Sequence, residues 1–179
     1  MFEYKTFVLT SHFINLIRRR QEMGQKILVA LDDSRNAMRT IEFITKTFST
    51  SENDITLFGV LPDAAAFCDM NSPELTPYFL SQQSSFCEIE ERKKQLVDQA
   101  LQQARDILVK AGFDKDCIHL KVQLKKKGIA RDIIEEAHCG YSIIVMGRRG
   151  LSGIKEFLLG SVSQKVIHGV KDISVLIVN

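Results

Sequence analysis

Short continuous apolar runs alternate along most of this chain with longer stretches in which apolar residues recur every three or four positions. After Lys26, the run Ile27-Leu28-Val29-Ala30-Leu31 is of the first kind, as expected for a strand buried on both faces. Ser34 then stands where a helix N-cap belongs, ahead of Ala37, Ile41, Phe43 and Ile44 at helical spacing. Ile55 to Leu61 reads as a second buried strand. The chain's three prolines, Pro62, Pro73 and Pro77, follow with Asn71 and several serines and predict an irregular excursion. From about Gln82 to Ala111, one long helix is predicted by the spacing of Phe86, Ile89, Leu96, Val97, Ala100, Leu101, Ala104, Ile107 and Leu108. The i,i+4 pairs Glu88–Arg92 and Glu90–Lys94 support it and Gly112 ends it.

Cys117 to Leu124 predicts a third strand, with Ile118, Leu120, Val122 and Leu124 on one face. Gly128 opens a helix through His138, and Ser142 to Met146 is a fourth strand of the continuous apolar kind. Ser161 to Gly169 forms a last helix and Ile173 to Val178 a last strand. Such alternation implies an α/β fold, an open five-stranded parallel sheet with helices on both faces, because parallel strands need crossovers and these are right-handed. Neither an internal repeat nor a second domain is visible in the pattern.

Composition adds limits. With 179 residues, 45% hydrophobic and 26% charged, the chain can bury a sizeable core without staples. A formal charge of +2 gives no electrostatic mandate for nucleic acid. Arg18-Arg19-Arg20 and Lys125-Lys126-Lys127 are read as solvated surface. Cys68, Cys87, Cys117 and Cys139 form no CxxC pair, so four unpaired thiols in a reducing compartment are expected, without a zinc site. No apolar run approaches the ~20 residues of a membrane span. Residues 1–24 form an N-terminal extension, either an amphipathic helix or a stretch upstream of a true start at Met23. The arginines follow its apolar residues instead of preceding them, which does not suit a signal peptide. A cytoplasmic protein is expected.

Two strand ends carry candidate chemistry. The fourth strand runs into Gly147-Arg148-Arg149-Gly150, and after nine further residues Gly160-Ser161-Val162-Ser163 opens the last helix. Glycines let bare N–H groups approach an anion, and the first turn of a helix adds unsatisfied donors and the positive end of its dipole. Ser161 and Ser163 add hydroxyls. The spacing is neither Walker A nor GxGxxG, and structural turns would use glycines in the same way. The first strand ends in Ala30-Leu31-Asp32-Asp33-Ser34, where a carboxylate could meet a ribose or a metal beside phosphate, or simply cap the next helix.

Together, Val145-Met146-Gly147-Arg148-Arg149-Gly150 and Phe157-Leu158-Leu159-Gly160-Ser161-Val162-Ser163 resemble the signature of the ATP-binding universal stress proteins. That signature is Gly, two residues, Gly, nine residues, then Gly-Ser/Thr, and every fixed position is matched. Ile27-Leu28-Val29-Ala30-Leu31-Asp32 is similar to the family's first strand and adenosine-contacting aspartate. Gly128-Ile129-Ala130-Arg131-Asp132-Ile133-Ile134 is similar to the start of its third helix. The resemblance covers residues 25–179 and implies strand order 3-2-1-4-5. It also implies base and ribose contacts from Ala30, Leu31, Asp32 and Val60, and phosphate contacts from Gly147, Gly150, Gly160, Ser161, Val162 and Ser163. Met146 and Arg148 complete the candidate set. Either Arg148 or Arg149 could reach a γ-phosphate or face solvent. Asp33 departs from the pattern, standing where many members have glycine.

On this resemblance the chain is expected to bind ATP, with Mg2+ or Mn2+, as a nucleotide-dependent regulatory or stress-response module. It would form a homodimer through the last strand. A weak ATPase or phosphotransferase, and a nucleotide-free partner-binding protein of the same fold, are the alternatives. No Ser-His-Asp arrangement or pair of catalytic carboxylates is apparent. Asp32-Asp33 also resembles the acidic pair of a phospho-receiver domain. That reading fails because the third strand runs into Leu124-Lys125 instead of an aspartate, and the fifth ends at Asn179 instead of a lysine.

Overall fold

The computed structural model describes residues 24–51, 53–63, 68, 76–150 and 159–179. The expectations for residues 1–23, including the amphipathic helix and Arg18–Arg20, lie outside the described residues. So do those for Asn71, Pro73, Phe157 and Leu158.

Strands β1 (Gln25–Ala30), β2 (Asn53–Leu61), β3 (Ile118–Leu124), β4 (Ile143–Gly147) and β5 (Ser174–Val178) alternate with four helices. These are α1 (Arg35–Thr47), α2 (Pro77–Lys110), α3 (Ile129–Ala137) and α4 (Ser161–Gly169). All neighbouring strands pair in parallel, in the order β3-β2-β1-β4-β5. The period-2 geometry of β1 explains why a continuous apolar run suits it. Ile27 and Val29 face one layer, with α1 and α2, while Leu28 faces the other, with α3 and α4. The α1 face is set by Ala37, Ile41 and Ile44, one residue per turn. Ser34 caps that helix, its Oγ accepting from Ala37 N at 3.3 Å.

Two elements differ from the pattern-based expectation. Helix α2 starts at Pro77, not near Gln82, because proline's fixed φ and missing N–H suit the first helical turn. Pro77 therefore belongs to the helix and not to the irregular excursion. At 34 residues α2 is about 51 Å long, against about 30 Å for β2, so it overhangs the sheet. Burial on the sheet begins at Val97, where Gly59 of β2 leaves room for the Val97 side chain, and Phe86, Ile89 and Leu96 stay exposed. Gly112 does end α2, with φ 99° and Phe113 N donating to Leu108 O at 3.1 Å. Strand β3 lies at a sheet edge, so only Ile118 of its apolar face is fully buried, and Val122 and Leu124 are exposed.

The thiols are a correction as well. Cys68 and Cys87 form a disulfide with Cα atoms 5.8 Å apart, while Cys117 and Cys139 are free and exposed. A separation of 19 residues carries no local signature; the pair forms because the chain after β2 returns to α2 at Cys68.

Candidate functional site

Strand order reverses between β1 and β4, since β2 lies on one side of β1 and β4 on the other. Beyond the carboxyl ends of these strands opens a cavity of about 490 Å³, within the range of small-molecule sites. Its floor is the end of β1, where Ala30 pairs with Phe58 and with Met146, and Leu31 N extends the ladder to Phe58 O at 2.9 Å.

One wall is backbone. Arg148 N donates to Val178 O at 2.7 Å, Gly160 N to Arg148 O at 2.9 Å, and Asn36 Nδ2 to Arg149 O at 3.1 Å. The Gly147–Gly150 turn is thus tied to β5, to the start of α4 and to α1. Gly160 caps α4 with no side chain, so the N–H groups of its first turn are left for a ligand or water. A Cβ on Gly160 would stand 3.3 Å from Arg148 O and from Arg149 Cα, both backbone atoms of a pinned turn. Gly150 is close-packed in another way: a Cβ there would collide with Asp32 Oδ2. Asp32 is held by Ser34 N, which donates to Oδ1 at 3.1 Å, and so lies across the cavity floor against Gly150.

The opposite wall is made of side chains: Phe58 and Val60 of β2, Lys93 and Val97 of α2, Lys125, and Ile129 and Ile133 of α3. Lys125 follows β3 in a fixed turn. Its N–H donates to Leu61 O at 2.6 Å, and Lys126 and Lys127 N–H donate to the Asp132 carboxylate at 2.9 and 3.0 Å. Gly128 accommodates φ 123° in that turn. Burial pushes the Asp132 carboxyl up, but backbone donors from Lys127, Lys126 and Gly128 outweigh it and hold the group below the ordinary carboxylate value. Lys127 is neutralised by Glu135, and Lys121 by Glu136 at 2.6 Å. Among the described residues Lys125 has no such partner.

The structure gathers Ala30, Leu31, Asp32, Val60, Met146, Gly147, Gly150, Gly160, Ser161, Val162 and Ser163 around this cavity. Arg148 is not in its lining. Arg148 lines a cleft of about 160 Å³ with Asn36, Arg39, Val178 and Asn179, and Arg149 lines both spaces. Ser163 is buried and its hydroxyl donates to Gly147 O at 3.0 Å, so it braces the turn instead of offering a free donor. Ser161 is exposed. Lys93 and Lys125 escaped the sequence reading. Lys125 had one legible signal, its place just past a strand end, whereas Lys93 is one cation in a charged helix and had none.

Chemically, the cavity opposes two carboxylates, Asp32 and Asp33, to three cations, Lys93, Lys125 and Arg149. Asp33 Oδ1 is buried without a hydrogen-bond partner. Among the described residues no three His, Cys, Asp or Glu side chains converge as a metal site by themselves.

Sheet order, layered helices and a cavity at the strand reversal define a doubly wound α/β protein with an open cavity at the switch point, where such folds place their ligands. The sequence model of the universal stress protein family matches residues 23–179, and the chain belongs to that family. It is 30% identical over 156 residues to the universal stress protein Sll1388 of Synechocystis, covering 86% of this chain and 96% of that one. Among solved structures it resembles the protein MJ0577, at TM-score 0.66 and 21% identity over 87% of this chain and 96% of the other. It also resembles a universal stress protein of Archaeoglobus fulgidus solved in complex with dAMP, at TM-score 0.54 and 19% identity, covering 88% and 99%. No described helix is long and apolar enough to cross a membrane.

Proposed function

We propose that this protein binds a nucleotide, ATP in the fullest form of the reading, and acts as a nucleotide-dependent regulatory or stress-response module in the cytoplasm. The carrying observation is the cavity in which the glycine-lined start of α4 faces Asp32 across the strand reversal. Backbone donors of Ser161, Val162 and Ser163 suit phosphate, Asp32 suits a ribose hydroxyl, and the apolar wall of Phe58, Val60, Ile129 and Ile133 suits a base. Arg149, not Arg148, stands as the cation of the phosphate end. The Archaeoglobus relative's dAMP supports the ligand class. A bound Mg2+ or Mn2+ would neutralise phosphate charge. The unpartnered Oδ1 of Asp33 fits that need, since Mg2+ is commonly held by one or two carboxylates together with substrate phosphates. A homodimer through β5 belongs to the same reading, because β5 is an edge strand with ladder groups to offer.

Calorimetric titration of the folded protein with ATP, with and without Mg2+, tests this. Saturable binding is expected below millimolar ATP. A folded protein that takes up no ATP at millimolar concentration would overturn the reading. Phosphate release at the buffer rate from the bound complex would separate holding from turnover.

A further inference from the structure

The first half of α2 has the least core beneath it of any described helix. Among the described side chains from Pro77 to Leu96 the buried one is Gln83, while Tyr78, Phe86, Ile89 and Leu96 are exposed. Most helical stability in proteins comes from packing of an apolar face, and the described side chains of this stretch supply little of it. Cys68 ties to it twice. The disulfide joins Cys68 to Cys87, and Gln83 Nε2 donates to Cys68 O at 3.4 Å, one helical turn earlier.

Those ties lie on a stripe that leads into the cavity. Gln83, Cys87, Glu90, Lys93 and Val97 recur at spacings of three and four and are the buried or half-buried residues of that part of α2. Lys93 and Val97 line the cavity, as does Pro62, from which the chain runs to Cys68. A covalent path between two parts of the side-chain wall, the end of β2 and α2, therefore closes through the Cys68–Cys87 bond. Both cysteines are half-buried, not sealed in the core.

We propose that Cys68–Cys87 is a reversible thiol–disulfide site that sets the order of the first half of α2 and, through Lys93, the affinity of the cavity. The second part rests on the nucleotide reading above. A dithiol reductant supplies the two electrons. Its thiolate attacks one cysteine sulfur, the S–S bond breaks, and the other cysteine leaves as a thiolate that takes a proton. The reductant's second thiol then displaces the mixed disulfide, giving two cysteine thiols and a cyclic disulfide. Opening the 19-residue separation restores chain entropy to the connection and removes the covalent tie, so that only non-covalent contacts such as the 3.4 Å Gln83 bond hold the overhang. In a reducing cytoplasm, protein disulfides are characteristically redox-active, as this one would be.

The test uses the full chain treated with oxidised glutathione or with dithiothreitol. Alkylation should label Cys117 and Cys139 in the first state and all four cysteines in the second. Hydrogen exchange of residues 80–92 should quicken about tenfold or more on reduction, with the sheet unchanged. The ATP dissociation constant should rise about threefold to tenfold as Lys93 loses its fixed place. Cys87→Ser should show the reduced behaviour in both states. Four alkylated cysteines after oxidised glutathione, or identical exchange in the two states, would overturn the proposal. Faster exchange with unchanged ATP affinity would overturn the link to the cavity. A protein that binds no nucleotide in either state would sink the nucleotide reading and with it that link, while the exchange contrast still decides the thiol–disulfide site.

Discussion

The two ends of the cavity are built on opposite principles. At the β4–α4 end the cavity-facing surface is largely backbone, and the sequence contributes mainly by leaving side chains out at Gly147, Gly150 and Gly160. At the β2–β3 end the surface is side chains drawn from β2, α2, α3 and the turn after β3. The backbone wall is least forgiving at Gly160, where a Cβ meets backbone atoms of a pinned turn, and softer at Gly150, where it meets the Asp32 side chain. A side-chain wall is graded, because each residue contributes separately and a long cation keeps alternative positions in water.

Substitutions should reveal that contrast. Gly160→Val is expected to have the largest effect. It forces the α4 start away from Arg148 and Arg149, and loss of several charge-assisted N–H bonds weakens ATP by about hundredfold or more. Circular dichroism should confirm that the protein stays folded; unchanged calorimetric affinity would show that phosphate does not sit there.

Asp132→Ala probes the scaffold of the other end. It leaves the Lys126 and Lys127 N–H groups without their acceptor and should cost about 1–3 kcal/mol in urea unfolding. The pH dependence has a definite sign. Because the folded Asp132 carboxyl sits below its ordinary value, its stabilisation is complete above the ordinary carboxylate range and is lost as pH falls through the lowered value. The stability gap between wild type and Asp132→Asn should therefore be flat at neutral pH and narrow in acid. A gap that widened in acid would contradict the assignment.

Gly150→Ala should leave stability nearly unchanged while pushing the Asp32 carboxylate aside, lowering ATP affinity about tenfold through one lost charged hydrogen bond. An affinity equal to wild type would remove Asp32 from the ligand contacts. Lys125→Met should act least, about threefold and fading with added salt, as a partly exposed cation does. Arg148→Gln serves as its control, and a larger loss there would mean that the glycine turn rearranges on binding.

Much of this was legible beforehand, but unevenly. The glycine end is a local feature, readable because Gly147 to Ser163 is one stretch of chain whose spacing matches a family pattern. The lysine end joins residues 58 to 133 and has no contiguous signature. Periodicity found the second half of α2, where Val97, Leu101, Ala104 and Leu108 meet the core. It found the first half as helix too, but helical spacing did not reveal that Phe86, Ile89 and Leu96 stay exposed there. Lys125 was set aside as surface because a run of three lysines looks uniform in sequence. In the fold, Lys127 turns to Glu135 while Lys125 turns to the cavity.

By itself the sequence determined the strand runs, their alternation with helices and hence a parallel sheet, since burial on two faces and crossover connection are written in local apolar spacing. It also determined that one strand–helix junction is bare enough to meet an anion. The strand order came only with the family resemblance. Tertiary structure alone decided that Cys68 meets Cys87, that Ser163 braces Gly147, that Asp32 lies against Gly150, and that Arg149 and not Arg148 borders the cavity. Each of those outcomes depends on which distant segments the sheet order and register bring together, and a pattern of nearest neighbours along the chain does not encode that.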